Sequence, residues 1–313
     1  MEKICLLGAH VPAATCADML HRLCNIKVSV TTIKDALRAV GGMFYDKEEQ
    51  LSENAELNFD FSSAESRKIL QNKAYLEIDG CMLNSIAGWK ENKLATIYSE
   101  ADVVKRGAGE KERVSILRKT LVSSFAKGVE NFEKRVEYWL KKTQKIFARQ
   151  LLVISDGAVW IENMVRRIAK DAIHILDWYH AKEKIYNCAK AIYGELSPKV
   201  AEWAEPLCDL LWNGNADAVI AALEVQAAKS KSPTHLYELR NYFAARLPML
   251  RYDEFRAQGY TIGSGAIESA NKYAIQDRLK KSGMRWSVPG ANAVAKLRTL
   301  YLSGLWDDQW RAA

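Results

Sequence analysis

The chain has 313 residues, 49% hydrophobic and 27% charged, a globular balance that excludes a disordered chain and leaves room for about two domains. Forty-five Lys and Arg against thirty-eight Asp and Glu give a net charge of +7, which favours polyanionic partners without requiring one. No apolar run approaches the ~18–20 residues of a membrane-spanning helix. The opening stretch is too weakly apolar for a signal peptide. The six cysteines (Cys5, Cys16, Cys24, Cys81, Cys188 and Cys208) form no CxxC pair, which argues against a zinc ribbon or a dithiol redox site and fits reduced cytoplasmic thiols.

Residues 11–24 place Ala13, Ala17, Leu20 and Leu23 or Cys24 at helical spacing. After the short connection NIKV, Ser29 opens a second helical pattern through Ile33, Ala36, Leu37 and Val40, which Gly41-Gly42 is expected to stop. Helix, tight turn and capped helix describe a helix-turn-helix, expected over residues 1–45. Ser29, Thr31, Thr32 and Lys34, at the start of its second helix, are then the candidate DNA contacts. An ordinary helical hairpin has the same pattern. Residues 46–70 are charged and polar and are expected to be a linker.

Composition then shifts toward β. Ala74–Asp79 is a short strand candidate ending on an acid, and Lys93–Tyr98 is a second, with a hairpin turn expected near Glu91-Asn92. Residues 110–149, with Val114, Leu117, Leu121, Phe125, Phe132, Val136, Trp139 and Leu140, suggest one or two amphipathic helices. Leu151–Ser155 is an unbroken apolar run ending in Asp156-Gly157, which suits a buried central strand. A short helix over Trp160–Ile168 and a strand over Ile173–Trp178 follow. From Tyr179 to about Tyr252 only helical spacing is visible, so 181–252 is expected to be an all-helical insertion. The Gly-rich turn 259–265 opens a helix over Ala266–Lys281 that carries Glu268 in its first turn. The predicted class is α/β.

Asp79 and Asp156 each close a strand candidate and precede a glycine, and Glu268 starts a helix. Acids at strand ends reach the sheet edge where α/β proteins build sites. Three carboxylates brought together repel unless cations bind between them, and oxygen ligands of this kind suit Mg²⁺ or Mn²⁺. Two such ions activate an attacking oxygen and stabilise a leaving one in phosphodiester cleavage. Each acid also has a plainer reading, as a turn residue or a helix-dipole partner. Asp177 and His180, three apart, are candidates for orienting a site or touching phosphate, or for an ordinary satisfied pair.

Ile154-Ser155-Asp156-Gly157-Ala158 with Trp160-Ile161, Ile175-Leu176-Asp177-Trp178-Tyr179-His180-Ala181 and Ile262–Ser269 together resemble bacterial insertion-sequence transposases of the DDE type. Arg278-Leu279-Lys280, Ser282–Ser287, Leu297-Arg298 and Trp306–Trp310 fit the same pattern. The Kra group is the nearest in kind and the Lre group a cousin, and the resemblance runs from about residue 10 to the C-terminus. It implies an RNase H-like catalytic core over 71–180 and 253–313, with Asp79, Asp156 and Glu268 as the metal-binding acid triad. It also aligns Asp177 and His180 with the D-x-x-H element of Mutator-like transposases. Such enzymes hydrolyse a DNA strand at the element's end with divalent metal, and the freed 3′-hydroxyl attacks target DNA. Members of the group often carry a longer region before the helix-turn-helix, whereas this chain starts almost at that motif.

From Thr261 to the C-terminus, eight basic residues (Lys272, Arg278, Lys280, Lys281, Arg285, Lys296, Arg298 and Arg311) oppose four acids, which suits phosphate binding or a solvated helix face. Trp286 beside Arg285 is placed either to stack a base or to sit buried. The expected partner is double-stranded DNA, bound by a homo-oligomer in the bacterial cytoplasm at the nucleoid. Two competing functions remain: a transposase relic that binds DNA without cutting it, and an RNase H-like nuclease without strand transfer.

Overall fold

The structure, a computed structural model, describes residues 1–54, 57, 59, 61–106 and 113–311. It is mixed α/β and divides into two compact units. The first comprises Met1–Leu151, Met164–Lys170 and Gly265–Ala313, and the second Leu152–Asn163 and Asp171–Ser264. No helix of the described residues is long and apolar enough to cross a membrane.

The first unit opens with α1 (Glu2–His10), which the sequence pattern had not suggested, and α2 (Ala13–Cys24). Asn25, in the left-handed region at φ 52°, ends α2; its N–H bonds the His21 carbonyl and the Ile26 N–H bonds that of Leu20. Helix α3 (Val30–Asn54) starts as expected: Ser29 Oγ accepts the Thr32 N–H at 3.0 Å. It does not stop at Gly41-Gly42. Buried Ile33, Ala36, Leu37, Gly41, Phe44, Tyr45 and Glu48 continue one apolar stripe through the glycines. A Cβ at Gly41 would collide with the backbone of Ala293 on helix α14 (Val288–Leu302), so the glycine provides close helix approach rather than a stop. The expected linker 46–70 is therefore helical to Asn54. It becomes helical again in α4 (Ala64–Gln71), which Ser63 caps by accepting the Ser66 N–H.

Strands β1 (Lys73–Ser85) and β2 (Gly88–Ser99) form a long antiparallel hairpin, and β2 pairs antiparallel with β5 (Thr120–Phe125). The turn lies at Ile86-Ala87, with Gly88 at φ 90°, and not at Glu91-Asn92. Asn92 tolerates a buried strand position because its side-chain oxygen accepts the Ser123 hydroxyl at 2.9 Å. β1 continues six residues beyond Asp79, which is thus a mid-strand acid facing Leu94. Strands β3 (Val103–Arg106) and β4 (Arg113–Ile116) form a separate hairpin.

Leu121 and Phe125 belong to β5 and Val114 to β4, so among the described residues of 110–149 the α-helical reading holds only for α5 (Val129–Lys142); residues 110–112 lie outside the described residues. β5 is buried at every position, which erases the period-2 signal. Helix α12 (Gly265–Ala270) runs into a π-helical turn (Asn271–Gln276) and α13 (Asp277–Leu279). α14 and α15 (Trp306–Arg311) follow.

Residues of α1, α2 and α3 share one apolar core with Leu83, Leu94, Phe125, Ile267, Ile275, Leu297 and Trp306. The N-terminal helices are thus part of the body that carries Asp79 and Glu268, not a separate segment. A buried ionic cluster adds to this core. Glu48 of α3 accepts from Arg135 of α5, from Lys296 of α14 and from Trp139 Nε1, and Arg135 also bonds the Ser123 carbonyl at 2.6 Å. All three charged side chains are 5% exposed or less.

In the second unit, β6 (Gln150–Ser155) pairs in parallel with β7 (Ile173–Leu176), with Leu152 opposite Ile173 and Ser155 opposite Leu176. α6 (Val159–Ile168) connects them. α7 (Trp178–Tyr193), α8 (Lys199–Trp212), α9 (Ala216–Lys229), α10 (Thr234–Ala244) and α11 (Tyr252–Ala257) follow, and no strand interrupts 179–252. All six cysteines are free thiols.

Candidate active-site carboxylates

In the first unit, the pleat of β1 puts Glu77 and Asp79 on one face, two residues apart. Glu77 is buried. Its Oε1 accepts the Tyr98 hydroxyl at 2.6 Å, and its Oε2 accepts the backbone N–H of Ile267 at 2.8 Å. Burial, and then the Glu77 charge, push the Tyr98 hydroxyl well above its usual pKa, so it remains a donor. Asp79 Oδ1 accepts the Gly80 N–H at 2.7 Å, and Oδ2 accepts the Asn271 side-chain amide at 2.6 Å. Ile267 and Asn271 flank Glu268, which lies exposed in the first turn of α12. Two hydrogen bonds thus fasten the strand carrying Asp79 to the helix carrying Glu268. Glu77 was missed from the sequence. The run Tyr75-Leu76-Glu77-Ile78-Asp79 holds its only signal, an acid inside an otherwise apolar strand.

In the second unit, Asp156 follows the last residue of β6, as expected, and its Oδ1 accepts the Ala158 N–H at 2.9 Å. Gly157 adopts φ 76°, and a side chain there would collide with Arg246 and Leu176. Tyr242 donates to the Asp156 carbonyl at 2.6 Å. Arg246 donates to the Gly157 carbonyl at 3.0 Å and pairs with Glu162 at 2.8 Å. Tyr242 of α10 and Arg246 just after it thereby hold the loop that presents Asp156.

Asp177 is buried. β7 ends one residue before it, and Asp177 caps α7 by accepting the Tyr179 N–H at 3.2 Å. It also accepts the Ser264 N–H at 3.2 Å and the Ser264 hydroxyl at 2.8 Å. Its partners are backbone groups and a serine, and it tethers the Gly-rich turn that leads into α12. His180, half-buried, faces Glu183 at 3.7 Å.

The basic residues divide. Lys272, Lys280, Lys281 and Arg285 are exposed. Arg278, Lys296 and Arg298, read from the sequence as phosphate contacts, are instead buried structural cations. Arg278 bonds the Gly8 carbonyl through two nitrogens at 3.1 Å. Arg298 bonds the carbonyls of Ala9, Ala274 and Tyr273. Burial holds Arg278 down at about 10. The end of α1 and the π-turn are what these guanidinium groups serve. Trp286 is partly buried, donates Nε1–H to the Leu279 carbonyl at 2.9 Å and lies 5.3 Å from the Arg278 guanidinium, which favours the packing role over base stacking. Ser29, Thr31, Thr32 and Lys34 are exposed on the first turn of α3.

Asp79 and Glu268 therefore belong to one unit and Asp156 to the other. Among the described residues, no group of three or more His, Cys, Asp or Glu side chains is arranged to hold a metal ion. The donors fit Mg²⁺ or Mn²⁺ in kind, since all three are hard carboxylate oxygens. The chain matches no protein-family model and no curated protein.

Proposed function

We propose that the chain is a DNA transposase of the DDE type, which cleaves strands at the ends of an insertion sequence and joins them to target DNA. Asp79, Asp156 and Glu268 are its acids and would hold two Mg²⁺ or Mn²⁺ ions. The observation that carries this reading is the fastening of Asp79 to the Glu268 helix through Asn271, across 192 residues of sequence. A fold that gathers an exposed acid and a strand acid from such distant segments, and anchors both, fits carboxylates kept for chemistry.

Further support comes from the antiparallel strands β1, β2 and β5, the parallel pair β6–β7 with Asp156 at its end, and the helical segment before Glu268. An RNase H-like core accounts for that order of elements. Divalent ions, when bound, lower the pKa of the attacking water or hydroxyl and neutralise charge on the phosphate. The protein's own part is to hold the acids oriented, by N–H and amide donors on Asp79 and Asp156.

Exposed Lys272, Lys280, Lys281 and Arg285, with Ser29, Thr31, Thr32 and Lys34 on α3, are the proposed contacts to double-stranded DNA, bound by a homo-oligomer at the nucleoid. The deciding experiment incubates purified protein with duplexes carrying the element's ends and a target plasmid, with Mg²⁺ or with chelator. Mg²⁺-dependent 3′-hydroxyl formation followed by joining supports the proposal. Binding without cleavage would favour the relic, and cleavage without joining the nuclease.

A further inference from the structure

An open cleft of about 680 Å³ in the first unit is lined by His10, Gln276, Asp277, Lys280, Lys281 and Arg298. These residues come from three places: the end of α1, the end of the π-turn with the stretch that follows it, and α14. Lys280 and Lys281 form no ion pair within the described chain. Arg298 is buried beneath, saturated by main-chain carbonyls, and so contributes a fixed positive charge. It also donates to His10 Nδ1 at 3.4 Å. Because arginine only donates, Nδ1 is the acceptor and the His10 proton sits on Nε2. That Nε2–H is buried and has no acceptor among the described residues. Burial, and then the charges of Arg298 and Arg278, lower the His10 pKa. A single acid, Asp277, opposes three cations.

We infer that this cleft is a phosphate-binding subsite, seating a phosphodiester of nucleic acid between Lys280, Lys281 and the His10–Arg298 wall. The inference rests on the DNA reading above and gives it a location. Arg298 adds a mechanical link. It holds the carbonyls of Tyr273 and Ala274 inside the π-turn that follows Glu268, so the wall of the phosphate cleft is continuous with the support of that acid. π-turns leave main-chain groups unpaired and occur often at functional sites.

The test titrates full-length protein with a fluorescent duplex over a salt series, and separately with pyrophosphate while following the His10 ring by NMR. The variants are Lys280→Ala/Lys281→Ala, Asp277→Asn and, as a control on the other unit, Lys229→Ala. All four positions are exposed, so folding should be retained. The double variant should weaken duplex binding about tenfold at low salt and flatten the log–log salt slope by about two. Asp277→Asn should tighten binding, and the control should do neither.

If wild type and double variant bind the duplex with the same affinity and slope, the subsite is overturned while the DNA reading stands. If no duplex binds but pyrophosphate shifts His10 in the wild type and not in the double variant, the cleft takes a small phosphate and the DNA reading fails. If neither ligand binds, both fail.

Discussion

Asn271 donates its side-chain amide to Asp79 Oδ2 at 2.6 Å, joining the first π-turn residue after α12 to the middle of β1. Asn271 is itself buried, so the bond is made in a poorly solvated place where orientation is held firmly. Replacing Asn271 with Ala removes the donor on Asp79 Oδ2 and loosens the orientation of the carboxylate, while the Gly80 N–H still holds Oδ1. Partners of this kind typically govern 10–100-fold in metal affinity or activity. Strand cleavage by Asn271→Ala should fall by about that factor and recover partly as Mg²⁺ is raised. Asn271→Asp should not rescue it, because a second carboxylate repels the first. A Mg²⁺ titration of cleavage rate checks both.

Asp156→Asn keeps side-chain size and the Ala158 N–H bond but removes the charge. Cleavage should fall more than ~10³-fold, or about 4 kcal/mol in barrier, while duplex binding holds or tightens. Cleavage and gel-shift assays on the same preparation decide it. Cutting at the wild-type rate, or in the presence of chelator, would remove the metal-acid reading.

The Glu48 cluster predicts a pH dependence. Burial alone raises a carboxyl pKa, but Lys296 and Arg135 outweigh it and hold Glu48 down at about 2. A depressed folded pKa contributes stability above the unfolded value of ~4.3, and that contribution is lost as pH falls toward 2. Glu48→Gln leaves Arg135 and Lys296 buried without a counter-charge, which typically costs 3–5 kcal/mol. Urea unfolding at pH 7 should show that loss. Between about pH 4.5 and 2 the gap between variant and wild type should narrow.

Gly41→Ala should destabilise the protein although alanine is the better helix former by about 1 kcal/mol. The added methyl meets the Ala293 main chain, which cannot move aside as a flexible side chain would. Overpacking of this kind costs ~1–3 kcal/mol. Gly42→Ala has open space and should be neutral or stabilising, so the pair measured by thermal melts separates packing from propensity.

What was legible in the sequence followed local rules. Ser29 capping, the 179–252 helices and the β6 run ending at Asp156 depend on near neighbours and were readable. Gly41 was misread because its role lies across the helix interface at Ala293, more than 250 residues away. Asp79 reads as a strand end because it is an acid followed by Gly80, yet pairing with β2 carries the strand to Ser85. Arg278, Lys296 and Arg298 looked like phosphate ligands because sequence shows charge but not the buried carbonyls and carboxylate that absorb it. Glu77 and Asn271, which orient the neighbourhood of Asp79 and Glu268, are individually unremarkable residues whose meaning arises only from pairing.

Helix α3 runs unbroken for 25 residues, about 37 Å, from Thr31, Thr32 and Lys34 to beyond Glu48. It is locked along its length by Ile33, Leu37, Phe44 and the ionic cluster. A sequence reader built on such a strut works as a fixed ruler. Under the proposed function, with bases recognised at its first turn, a phosphodiester held near Asp79 and Glu268, in the same unit, would lie at a set number of base pairs and on a set face of the duplex. Inserting about five base pairs, half a helical turn, between the recognised sequence and the cleavage point would carry the target to the opposite face. Inserting about ten would restore the face and only lengthen the span. A reader on a flexible tether would be nearly indifferent to either change.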